Sequence, residues 1–173
     1  MILETVRAVA DWLDHATYGV DAQLAALTFD GSDTAPTGAH TVIDETRESD
    51  AAIDRPAAAP FLKVVAGEVR SLAGEAATYT HTAQIPLEIT IERSDVSPAA
   101  LVRDLYNTQR AVLRSVEQLF NPAIAAATTA CARNGVQLQV IITLAAARVA
   151  PTIEDNTGSA AVYLTVQSRD ITA

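Results

Sequence analysis

The stretch from Thr78 to Phe120 constrains the fold of this chain more than any other. In Ile85, Leu87, Ile89 and Ile91 every second residue is branched and apolar, while Pro86, Glu88, Thr90 and Glu92 take the alternate positions. That period of two is the pattern of a strand with one buried face, and it predicts a long strand over 78–92. Ser97 and Pro98 then supply an N-cap and a first-turn proline, opening a helix of about six turns. Leu101, Leu105, Val112, Val116 and Leu119 form its apolar stripe, widened by Val102, Leu113 and Phe120. A stripe that wide suits a sheet better than a coiled-coil seam. Asn121-Pro122 ends the helix, because proline keeps the preceding residue out of helical angles.

A chain of 173 residues is long enough for one well-cored domain and short for two. The expectation is a single domain over 1–173. Hydrophobic residues make up 49%, but much of this is alanine and aromatics are only 5%, so Val, Ile and Leu must supply the core. Twelve basic residues against 21 acidic ones give a formal charge of −9, which disfavours broad contact with phosphate backbones or anionic membranes. Lys63 is the only lysine, and it does not stand in a Gly-x-x-x-x-Gly-Lys loop, so a P-loop is excluded. The lone Cys131 rules out an internal disulfide and a zinc site built on paired cysteines. The start at Met1 has no basic n-region or apolar h-region, and no apolar run approaches the roughly 18 residues of a spanning helix. A cytoplasm-like compartment is expected.

Before the long strand, Ile2, Val6, Val9, Leu13, Val20, Leu24 and Leu27 recur at helical spacing, with a break near Tyr18-Gly19. From Phe29 to Pro60 the composition shifts to Asp, Thr, Ala, Gly and Pro, and four acids and one arginine crowd into Asp44–Asp50. A connection this long is expected to be partly flexible or to order against a partner, with a short strand near Thr41 to Glu45. Phe61 to Leu72 reads as one strand, joined through Ala73-Gly74-Glu75-Ala76 to the strand at 78–92 as an antiparallel hairpin. After the central helix, Ala123 to Ala132 reads as a second short helix. Val136 to Arg148 and Ala160 to Ile171 then form a second hairpin about a turn at 151–158. The fold class is therefore α+β: a mostly antiparallel sheet of four to five strands, with an N-terminal helix and a long central helix packed on it.

The chain carries none of the common catalytic motifs at the spacings their chemistry requires. Gly-x-Ser-x-Gly, Gly-x-Gly-x-x-Gly and His-Glu-x-x-His are all absent. His15 follows Asp11 by one helical turn and is better read as half of a surface ion pair than as a metal or acid-base site. His81 shares a strand face with Ile85 and reads as a partly buried or interface residue, and His40 sits in the long loop without supporting neighbours. Glu88 and Glu92 share a strand face, but four residues place their stems roughly 13 Å apart. Glycoside chemistry needs carboxylates roughly 5–9.5 Å apart. Arg103, Arg110 and Arg114, with Asp104 and Glu117, make a mixed-charge outer face on the central helix. No cofactor, metal ligand set or nucleophile emerges. The polar residues read instead as surfaces for neighbours: Asp44, Glu45, Arg47 and Glu48 in the loop, Glu88 and Glu92 on the strand, Arg110 and Arg114 on the helix.

The element order resembles one known family. It comprises an N-terminal helix, a strand pair ending Ile85-Pro-Leu-Glu-Ile-Thr-Ile91, a helix opening Ser97-Pro98-Ala-Ala-Leu101, and a closing pair ending Tyr163-Leu-Thr-Val-Gln-Ser-Arg-Asp170. Over nearly its whole length the chain is similar in this order to the tail terminator, or tail completion, proteins of long-tailed bacteriophages. The resemblance implies a non-enzymatic virion subunit at the head-proximal end of the tail, assembled in the host cytoplasm. Such a subunit forms a ring, usually a hexamer, that caps the tail tube and offers the head-tail connector a docking face while DNA passes through its lumen. The long 29–60 loop and the 123–132 segment depart from that pattern.

Two alternatives stay open at this level. One is a head-tail connector or tail tube subunit with a similar helix-on-sheet core. The other is a small α+β ligand-binding domain or enzyme using Tyr79 and His81.

Overall fold

A computed structural model describes residues 2–28, 40–44, 60–67, 70–72, 82–94, 97–118, 138–154 and 157–170. They form an α+β arrangement with three helices: α1 (Ile2–Leu13), α2 (Val20–Ala25) and the long central α3 (Pro98–Gln118). The strands are β1 (Thr41–Asp44), β2 (Phe61–Ala66), β3 (Arg70–Leu72), β4 (Thr82–Ser94), β5 (Leu138–Glu154) and β6 (Thr157–Asp170). They pair in the order β1-β2-β4-β6-β5, with β3 also on β4.

The break between α1 and α2 falls where the sequence marks it. The Gly19 amide donates to the His15 carbonyl at 2.7 Å, and a Cβ at Gly19 would run into the carbonyl oxygens of Leu13 and His15. Only glycine fits so tight a corner. The start of α3 is also as expected. Ser97 caps it, with its Oγ accepting from the Ala100 amide at 3.4 Å and its carbonyl accepting from the Leu101 amide at 2.8 Å.

Both hairpins form. β2 pairs antiparallel with β4 from Phe61 opposite Glu92 to Ala66 opposite Leu87, and β5 pairs antiparallel with β6. The two hairpins join through β4 and β6, which pair without interruption from Thr82 opposite Arg169 to Ser94 opposite Thr157.

Three expectations are corrected. The sheet has six strands among the described residues rather than four to five, because the short β1 and β3 add to it. β1, whose direction the sequence left open, runs parallel to β2. The 61–72 segment is two strands rather than one, broken around Gly67, whose amide donates to the Pro86 carbonyl. The proposed turn at 151–158 is mostly strand: Glu154 lies opposite Thr157, so Pro151 and its neighbours continue β5. Proline is tolerated because β5 ends the sheet order and because the pairing slips there, between Val149 and Thr152. The expected helix at 123–132 lies outside the described residues.

The core gathers between the helices and one face of the sheet. Leu62 and Val64 of β2, Ile91 of β4, and Val162 and Leu164 of β6 meet Val6, Val9 and Leu13 of α1, Leu24 of α2, and Leu101, Leu105, Val112 and Val116 of α3. Register explains the shared face, since Leu62 lies opposite Ile91 and Val64 opposite Ile89. Gly158 brings β6 against α3 so closely that a Cβ there would lie 2.8 Å from Leu101 Cγ and Leu105 Cδ1.

Candidate functional site

Among the described residues two surfaces stand out once the core is accounted for. The first is the sheet face opposite the core, where the alternate positions of three adjacent strands line up. Glu88 lies between Val65 of β2 and Tyr163 of β6 in the ladder. Glu88 and Val65 are half-buried, while Tyr163 is 38% exposed. Lys63 stands two residues along β2 on the same side and is half-buried. This patch mixes one carboxylate, one ammonium and an aromatic ring, a composition suited to a protein contact.

The second surface is the outer side of α3. Tyr106 is 46% exposed, Arg110 and Glu117 are exposed, and Arg103, Asn107 and Arg114 are half-buried. Spacings of three and four put them on one side of the helix. Asp104, expected on that surface, is buried beside it, with Oδ1 3.6 Å from Arg103 Nε.

The other partner-contact residues expected from the sequence fall in different places. Asp44 closes β1 and is fully buried, so it belongs to the interior of the fold. Glu92 sits in β4 opposite Phe61 and Ser159. Glu45, Arg47 and Glu48 lie outside the described residues, as do Tyr79, His81 and Cys131. The structure thus brings Glu88 onto a sheet face and Arg110 with Arg114 onto a helix face, as separate surfaces.

Sequence reasoning missed several tertiary polar contacts. His40 is buried, and Asp21 at the start of α2 holds it twice: the carboxylate is 2.7 Å from Nδ1 and accepts from the His40 amide at 3.1 Å. This ties α2 to the entry of β1. His15, read as an ion-pair partner of Asp11, instead stacks with Trp12 and Tyr18, at centroid distances of 5.8 and 5.1 Å. Its Nδ1 accepts from the Thr17 amide at 3.1 Å and more loosely from that of Tyr18 at 3.3 Å, which fits the tautomer protonated at Nε2. Gln109, fully buried on α3, donates through Nε2 to the Ala161 carbonyl at 2.9 Å. Ala161 faces Val149, the last β5 pair before the slip at Pro151. Proline has no N–H to give β6, and the glutamine supplies a donor to that strand from the helix layer.

One signal for the buried polar residues was present. Asp104, Thr108 and Ser115 fall on the same 3.6-residue face as Leu101, Leu105 and Val112. Their polarity hid it. The Asp21–His40 contact joins residues 19 apart through the fold, and no spacing rule reaches it.

Among the described residues no group of three or more His, Cys, Asp and Glu side chains is placed to hold a metal ion, and no helix is long and apolar enough to cross a membrane. The chain matches no protein-family model and no curated protein.

Proposed function

We propose that this chain is a tail terminator of a long-tailed bacteriophage: a structural subunit that forms a ring, most simply a hexamer, on the end of the tail tube. The ring stops tube polymerisation and presents a surface to the head-tail connector, at the head-proximal end of the virion tail. DNA passes through its lumen without specific binding, in keeping with the net charge of −9. The fold reading that goes with this function is a helix-covered, mostly antiparallel sheet working as a rigid subunit body.

The observation that carries the reading is the one-sided core. The helices bury one face of the sheet, while Glu88, Tyr163 and Lys63 share the other, and Tyr106 with Arg110 occupies the outside of α3. A subunit inside a ring needs separate surfaces for its neighbours, for the tube and for the connector.

The test is negative-stain imaging of the purified protein with and without a phage tail tube protein. Single rings that bind tube ends and limit tube length support the reading. Long stacked tubes formed by this protein alone would instead make it a tube subunit. A stable monomer at high concentration that leaves tube growth unaltered would overturn it.

A further inference from the structure

The outer side of α3 carries arginines that the described fold does not pair. Tyr106, Arg110 and Arg114 follow one another at intervals of four residues, so they stand about 6 Å apart, turn by turn, along one side of the helix. Tyr106 is 46% exposed, Arg110 is exposed and Arg114 is half-buried. Among the described residues neither Arg110 nor Arg114 is in an ion pair, whereas Arg103, earlier on the helix, has Asp104 at 3.6 Å. Even Glu117, three residues past Arg114, is exposed and forms no bridge to it.

The rest of the chain makes this a notable use of positive charge. With 12 basic residues for 21 acidic ones, carboxylates outnumber the cations that could meet them. Two arginines four residues apart on a helix repel each other instead. Such a strip is an unfavourable arrangement for the isolated fold and a favourable one against an acidic surface. Tyrosine and arginine are also the side chains enriched at the energetic centre of protein contacts, where an aromatic ring and a planar guanidinium bury area and form directed hydrogen bonds.

Charge identifies the partner. A second copy related by a two-fold axis through α3 would set arginines against arginines, so the strip must meet a different surface. A ring offers that arrangement, because each of its contacts joins two unlike faces. The net charge of −9 makes the surface of the next copy predominantly acidic, complementary to Arg110 and Arg114.

We propose that Tyr106, Arg110 and Arg114 of one copy dock on an acidic surface of the next copy, as the charged half of a head-to-tail contact. This inference rests on the ring reading above and assigns one of its faces. Tyr106 supplies apolar area, and the two guanidinium groups fix the orientation of the neighbour through carboxylates.

The test compares the wild-type chain, Arg110→Glu with Arg114→Glu, and Arg110→Lys with Arg114→Lys, by light scattering and negative stain at rising salt. Circular dichroism confirms that each is folded. Wild-type rings are expected to weaken as salt screens the contact. The lysine pair should still assemble, and the glutamate pair should need at least about tenfold more protein to do so. A second readout leaves both arginines in place: Tyr106→Cys in a Cys131→Ser background, labelled with benzophenone maleimide and irradiated. Cross-links from position 106 to an acid-rich peptide of another copy support the proposal. Glutamate-pair rings with wild-type concentration and salt dependence would overturn it and leave the ring reading standing. Cross-links between position 106 of two copies would mean a two-fold α3 contact, and cross-links to a tail tube protein alone would make the tube the occupant; either result overturns the proposal. A wild-type chain that stays monomeric with and without tube protein would remove the ring reading and this contact with it.

Discussion

The indole Nε1 of Trp12 donates to the backbone carbonyl of Ser115 at 2.8 Å, joining α1 to α3 across 103 residues of sequence. Trp12 is 3% exposed and is the only tryptophan, so the intrinsic indole emission reports this one junction. Trp12→Phe keeps most of the apolar volume but leaves the Ser115 carbonyl without that donor. We expect a loss of about 1–3 kcal/mol in urea unfolding followed by far-UV circular dichroism. An unchanged midpoint would show that the hydrogen bond adds nothing beyond the ring contacts.

The Ser115 side chain invites the opposite change. Its Oγ is buried and has no hydrogen-bond partner among the described residues, an uncompensated desolvation. Ser115→Ala removes that hydroxyl and improves helix propensity, so thermal unfolding should show equal or greater stability, by up to about 1 kcal/mol. A clear drop in melting temperature would be the contrary result.

Gln109 is expected to behave unlike Ser115. Gln109→Leu fills a similar volume but withdraws the donor to the Ala161 carbonyl where the β5–β6 pairing is about to slip. The expected cost is about 1–3 kcal/mol. Hydrogen exchange should show the loss concentrated around 149–161, and protection left intact there would contradict the assigned role.

Gly158 is a position where one methyl group should matter. An alanine Cβ would press on Leu101 and Leu105, both fully buried on α3. Their atoms lie in the core and have little room to retreat, so Gly158→Ala should destabilise by about 1–3 kcal/mol. A denaturant titration giving wild-type stability would show that β6 and α3 can separate slightly without penalty.

The Asp21–His40 contact is best tested as a pair. Asp21→Ala and His40→Ala should each destabilise the chain, and the double variant should lose less than their sum, with a coupling of about 0.5–2 kcal/mol. The Asp21 side chain is 49% exposed, so solvent screening places the expected value toward the lower end. Strict additivity in the cycle would show that the two groups do not support one another.

The local signals were legible because each is carried by neighbours in sequence. The alternation in 85–91, the Ser97-Pro98 start of α3, the stop near Gly19 and the two hairpins follow from side-chain period, capping and chain stiffness. The strand ends were less legible: β5 continues through Pro151 because an end strand that slips its register can carry a residue with no N–H. The candidate surfaces were partly visible, with Glu88 and Arg110 at half-buried and exposed positions and Asp44 in the interior. A carboxylate at the end of a short strand looks the same in sequence whether or not other elements cover it.

The amino-acid sequence by itself determined the α+β class, the long strand, the central helix and the face each turns inward, since those depend on periods of 2 and 3.6 residues. Tertiary structure alone decided which strands are neighbours, that β1 lies parallel to β2, and that β4 joins the two hairpins by pairing with β6. It also decided which polar side chains are buried, as in Trp12 with Ser115, Gln109 with Ala161 and Asp21 with His40. Those choices depend on distance between residues remote in the chain, where each buried donor must find an acceptor and no short-range pattern specifies which one.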